Sequence, residues 1–239
     1  MPNASFAIVP RKVWLLLTAG PALFLFGFVG ASIFFGVQEV PEAEIPGRVA
    51  TLVPHVLLGV LVGLAALSTL FAPQVKAAWR LPGLGKTLSD TMVGFLAGAV
   101  LAVSYLAWLA PLLETLQRTF GDFVPPGAVL PTVSSSIGLF FIANVLLAPL
   151  VEETLYRGIA LPLLIDCLGV RWAVVLSCLF FGLLHWPGGL WYMLLTGVVG
   201  GGAFAGLYCW RRGVLAPFAA HLALNLIEFA YAWHAHGNA

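Results

Sequence analysis

Six residues in three short motifs carry groups that could do chemistry. Glu152, Glu153 and Arg157 lie in Glu152-Glu153-Thr154-Leu155-Tyr156-Arg157. His185 closes Phe181-Gly182-Leu183-Leu184-His185, and His221 and Asn225 bracket His221-Leu222-Ala223-Leu224-Asn225. A carboxylate, two imidazoles and a carboxamide suit activation of water by a general base and stabilisation of an oxyanion by hydrogen-bond donors. Rival hydrolytic chemistries lack their signatures. There is no His-Glu-x-x-His helix and no Gly-x-Ser-x-Gly elbow. Asp122 and Asp166 sit near the ends of apolar runs and do not make an intramembrane aspartate pair.

In a helix successive residues turn by about 100°. Glu153 and Arg157 are four apart, share a face and can pair. Glu152 points away from that partner and is left to face something else. His185 follows Phe181 by one turn. His221 and Asn225 share a face, with Glu228 one turn further on, so two hydrogen-bonding side chains can point at one ligand atom. Each motif also has a purely structural reading: a buried polar clamp for Glu152, Glu153 and Arg157, a satisfied interfacial residue for His185, a helix–helix hydrogen bond for His221 and Asn225. Their joint occurrence in adjacent apolar segments favours one shared polar site. A charged group near mid-bilayer costs at least ~2.5–3.5 kcal/mol and by default marks function. Asn144, two turns before Glu152 on about the same face, is placed to line the same cavity. His55, after Pro54, reads as a boundary residue, and Ser134-Ser135-Ser136 as a helix start.

The elements that must position these groups are membrane helices. The chain has 239 residues, of which 61% are hydrophobic and 9% charged, with a mean hydropathy of +1.00. Soluble domains carry about 25% charged residues, so this chain cannot cover its surface with charge. A net charge of +1 argues against nucleic-acid binding, which needs clustered Lys and Arg. Cys167, Cys178 and Cys209 show no disulfide or zinc-ribbon spacing. The apolar run from Val13 to about Val37 exceeds the ~7–15 residues of a signal-peptide core and reads as a retained first span.

Seven spans are expected, at roughly 13–37, 51–73, 91–113, 134–165, 172–187, 189–209 and 214–233. The fourth is the least regular, because Pro149 and Pro162 fall inside it. A further half-buried piece around Ala77–Leu88 or Leu112–Phe123 would make eight. Gly197, Gly200, Gly201, Gly202 and Gly206 form a stripe of small residues suited to close helix packing. Arg11, Lys12, Lys76, Arg80, Lys86, Arg171, Arg211 and Arg212 fall in alternate loops, which puts the N-terminus inside by the positive-inside rule. This count leaves one tension. It sets Glu152 near the inner end of the fourth span and His185 deeper, so the fifth span must tilt or begin outside the membrane.

Glu-Glu-x-x-x-Arg, Phe-x-x-x-His and His-x-x-x-Asn, in this order over roughly Ser134 to Trp233, resemble the CAAX prenyl endopeptidase type 2 family. That family is also called CPBP (CAAX proteases and bacteriocin-processing enzymes) or Abi. The resemblance implies a polytopic helical fold with an active site in a membrane cavity open to the cytosolic side. With the spans read above, the expected fold is an all-α membrane bundle of about seven to eight helices, one integrated domain with residues 1–133 as N-terminal spans and 134–239 as the catalytic core. The resemblance also implies that Glu152 activates the attacking water, that His185 holds it, and that His221 and Asn225 form the oxyanion hole. Glu153 and Arg157 match the supporting ion pair. The family is described as glutamate-type, without a cofactor. A zinc-dependent version with Glu152, His185 and His221 as ligands stays open, since Glu and two His also make a catalytic zinc set.

The expected function is an intramembrane endopeptidase acting on a membrane-associated or lipidated peptide or protein. Its expected partners are that substrate and the bilayer, and its expected place is a bacterial inner membrane. The alternative is a non-proteolytic scaffold or bacteriocin-immunity-type binding protein of the same fold. A small transporter, with Glu and His as a proton relay, is the weakest reading, since no inverted repeat is present.

Overall fold

The computed structural model describes residues 9–124 and 136–236. Ser134, Ser135 and the boundary expected between residues 133 and 134 lie outside them. Every regular element among the described residues is helical. Six helices are long and apolar enough to cross a membrane: α1 (Arg11–Val37), α2 (Val53–Ala78), α3 (Leu84–Phe120), the long segment Ile137–Leu184, then Leu190–Arg211 and Leu215–Ala235.

The long segment is not one rod. Gly169 has φ 75° and ψ 162°, a conformation open to glycine and strained for other residues. The Tyr156 hydroxyl donates to the Phe180 carbonyl at 3.2 Å. In one continuous helix those residues would stand about 36 Å apart. The chain therefore reverses at Gly169 into an antiparallel hairpin of α4 (137–168) and α5 (170–184), which holds two of the seven expected spans. The remaining helices are α6 (Leu190–Arg211) and α7 (Leu215–Ala235).

In their described residues the seven expected spans overlap these helices, of which six stretches are long and apolar enough to cross a membrane. The additional half-buried piece does not form a separate element. Residues Trp79–Gly83 are the turn between α2 and α3, and residues from Leu112 onward extend α3. With 37 residues, α3 is about 55 Å long, well beyond the ~30 Å of a hydrocarbon core.

The prolines leave a local mark. Three of the four stretches of wider, π-type helix among the described residues, Tyr105–Leu109, Phe141–Leu147 and Thr154–Ala160, each stand just before a proline, Pro111, Pro149 and Pro162, while the fourth, Thr196–Gly200, does not. Proline has no N–H for the carbonyl four residues back, and its ring crowds that carbonyl. One extra residue in the turn relieves both problems. The irregularity expected of the fourth span thus becomes two bulges that flank the Glu152-Glu153 pair.

Side chains from α1, α2, α4, α5 and α6 form the main core, including Leu16, Leu17, Leu64, Leu155, Ile159, Leu164, Phe181 and Phe204. Outward faces expose Phe26, Leu96, Val100 and Trp108, which suits a lipid environment. Helix α7 is held by α3 at backbone contact. A Cβ on Gly98 would collide with the Ala220 carbonyl and lie 2.8 Å from the Ala223 methyl. One on Gly94 would meet the Ala216 carbonyl and the Ala219 methyl, the latter at 2.7 Å. The sequence reading did not single out this Gly-x-x-x-Gly pair. Of the stripe it did single out, Gly197 and Gly201 pack against Gly182 and Cys178 on α5. A Cβ on Gly202 or Gly206 would meet nothing among the described residues within 4 Å.

Gly98→Val is therefore expected to push α7 away and lower stability by at least ~1–3 kcal/mol, the usual cost of overpacking. Gly206→Ala should be close to neutral. Thermal unfolding of both variants in one detergent checks the contrast.

Candidate active site

The hairpin at Gly169 resolves the tension over depth. Glu152 precedes the reversal by 17 residues and His185 follows it by 16, so the two arms bring them to nearly the same level. His185 Nε2 lies 3.9 Å from Glu152 Oε2. That is too long for a direct hydrogen bond and short enough for both atoms to hold one water. His185 Nδ1 is 2.7 Å from the Phe181 carbonyl. A carbonyl only accepts, so Nδ1 carries the proton and Nε2 offers its lone pair towards Glu152. Glu152 Oε2 is buried and has no hydrogen-bond partner among the described residues.

The expected ion pair forms, and it does more than balance charge. Arg157 and Glu153 are fully buried, with Arg157 Nη1 3.1 Å from Glu153 Oε1. Arg157 Nη2 donates to the Gly201 carbonyl at 3.0 Å, and the guanidinium carbon lies 4.2 Å from the Phe181 ring centre. Glu153 Oε1 also stands 3.0 Å from His221 Nδ1. The carboxylate thus fixes His221 with Nδ1–H towards itself and Nε2 turned the other way. Phe204 stacks on the imidazole at 4.7 Å between centroids. Sequence reasoning missed this Glu153–His221 link, for the partners are 68 residues apart. Phe181 was seen only as a spacer to His185. It in fact touches Arg157, His185 and His221, the two imidazole centroids lying 4.8 and 5.9 Å from its own.

Asn225 donates from Nδ2 to the backbone carbonyl of Asn144 at 2.8 Å, within the first π-type stretch of α4. An amide nitrogen carries two hydrogens, so a second remains for a ligand. Asn144 contributes this carbonyl to the site, and its side chain is not on the cavity wall, contrary to the expectation that it lines the cavity.

His185, His221 and Asn225 line one cavity of about 570 Å³, counting its open mouth. Glu152 stands behind His185 and is not part of the wall. Helices α3 and α6 close the opposite side with Tyr105 and Tyr192. The start of α6 is tied down by Asp122, which accepts from the Leu190 N–H at 2.8 Å and the Trp191 N–H at 3.3 Å. Burial opposes ionisation of Asp122, but these two bonds and one from Gln117 outweigh it and hold the carboxyl below its ordinary range. The six residues singled out from the sequence thus converge, as do Glu228 and Tyr192 beside them.

A zinc ion needs three or four donors within about 2.0–2.3 Å of one point. Among the described residues no three His, Cys, Asp or Glu side chains are so arranged.

Residues 134–227 match the family model described as type II CAAX prenyl endopeptidase, Rce1-like. The match covers less than half of the chain and includes all six motif residues. No curated protein and no solved structure matches the chain.

Proposed function

We propose that the chain is an endopeptidase that hydrolyses a peptide bond of a membrane-associated or lipidated substrate with water activated by Glu152. The observation that carries this reading is the 3.9 Å gap between Glu152 Oε2 and the unprotonated Nε2 of His185. A water held by both loses a proton to the Glu152 carboxylate. The hydroxide adds to the substrate carbonyl carbon, and the carbonyl oxygen becomes an oxyanion. Asn225 donates its second amide hydrogen to that oxygen. His221 donates from Nε2, with its Nδ1–H donated to the Glu153 carboxylate. Glu153 therefore needs to be anionic, and Arg157 keeps it so. The C–N bond then breaks as Glu152 returns its proton to the leaving amine, which restores the carboxylate.

No step uses a metal, so activity of the reconstituted protein should survive chelators. Each oxyanion donor in such sites is worth ~2.7–4 kcal/mol. Asn225→Ala should therefore lower kcat by ~10²–10³ with little change in KM. The decisive experiment compares peptide termini in membranes holding the wild-type protein with those holding Glu152→Gln. New termini confined to the wild type support proteolysis. Identical sets sink it and leave a scaffold or immunity-type binding protein. By the positive-inside rule the N-terminus faces the cytosol, in keeping with a bacterial inner membrane.

A further inference from the structure

The cavity wall holds one carboxyl group that the proposed hydrolysis does not use. Glu228 lies on α7 on the same stripe as His221, Leu224 and Asn225, and it faces the cavity shared with Tyr105 and Tyr192. Among the described residues it is the sole acidic group on that wall, which contains no Lys or Arg. The arginines that reach into the bundle nearby are engaged elsewhere, Arg157 by Glu153 and the Gly201 carbonyl, Arg211 by Asp90 and Ser89. The match to the protease family ends at residue 227, one residue before it.

A carboxylate inside a membrane bundle is costly unless something compensates it, and such groups mark substrate or ion sites. A cation entering the cavity would supply that compensation, since no Lys or Arg lies on its wall. A carboxylate beside two tyrosine rings is a receptor for an ammonium or guanidinium group, through charge pairing and through the negative faces of the rings. Resting on the endopeptidase reading above, we infer that Glu228, with Tyr105 and Tyr192, binds a cationic side chain of the substrate and so selects peptides carrying Lys or Arg near the cleaved bond. Seven residues of helix separate Glu228 from His221, about 10 Å. An extended peptide advances ~3.3–3.6 Å per residue, so the cation belongs within about three residues of the scissile carbonyl.

The test uses capped, apolar twelve-residue peptides with a fluorescent label, each bearing one Arg, one norleucine or one Glu at its centre. Binding is measured to the full-length Glu152→Gln protein in nanodiscs, where a substrate would stay uncut. The Arg peptide should bind at least ~10-fold tighter than the norleucine peptide, as expected for a desolvated charge pair. The preference should vanish in Glu152→Gln/Glu228→Gln and turn towards the Glu peptide in Glu152→Gln/Glu228→Lys. Equal binding, no binding, or a preference that survives Glu228→Gln overturns the inference. The Arg–norleucine comparison needs no change at Glu228, so it stays decisive even if those variants fail to fold. Cleavage by the wild type separates the two readings. Charge-selective binding without cleavage keeps the cation site and sinks the protease. Cleavage without charge selectivity does the opposite.

Discussion

Glu152→Gln is expected to yield a folded, membrane-inserted protein that hydrolyses its substrate at least ~10²–10⁴-fold more slowly, the usual contribution of a positioned general base. Glutamine fills the same volume and can still hydrogen-bond, but it cannot take the proton from water. Glu152 is buried, and its Oε2 has no hydrogen-bond partner among the described residues, so neutralising it removes no ion pair. Melting temperature should stay level or rise slightly. Loss of turnover at unchanged stability separates chemistry from folding. A Glu152→Gln protein that still cleaves at the wild-type rate would remove Glu152 from the mechanism.

The second large effect is on the fold. Arg157 is fully buried, pairs with Glu153, donates to the Gly201 carbonyl and lies against Phe181. Removing one member of a buried pair leaves the other charge uncompensated and costs ~3–5 kcal/mol, a large part of the ~5–15 kcal/mol that holds a typical protein together. Arg157→Met should therefore abolish recovery of monodisperse protein from mild detergent. Arg157→Lys should rescue little, because one ammonium on a flexible stem cannot reproduce the planar fork and the stacked face. Glu153→Gln/Arg157→Met, which removes both charges together, should regain much of the stability lost in the single variant. It should remain inactive, since His221 Nδ1 then faces no carboxylate. Thermal melts of the three variants beside activity assays read both halves. A double variant as active as the wild type would show that Glu153 does not act through His221.

Both predictions start from motifs legible in the chain, because their spacing is local. Glu153 and Arg157 meet four residues apart on one helical turn, and the prolines announced the irregular stretches around them. Apolar runs long enough to cross a bilayer, interrupted by few charges, gave away the membrane helices. The same residues said nothing about which helix faces which. In water, an apolar stripe beside a polar one tells the inward face from the outward. In lipid both faces are apolar: Phe26 and Trp108 face outward, Leu17 and Phe204 are buried, and composition does not separate them.

What only the tertiary structure decided follows from that lost contrast. The reversal at Gly169 depends on a backbone angle and sets Glu152 level with His185. The bond from Asn225 to the Asn144 carbonyl, the hold of Glu153 on His221 and the seat of Phe181 among three charged or polar groups all join residues far apart in the chain. They exist because helices approach where small residues let backbones touch, as Gly94 and Gly98 do against α7. By itself the sequence determined that polar groups of these types lie within membrane helices. Packing decided that they converge, and that His185, His221, Asn225 and Glu228 line one cavity.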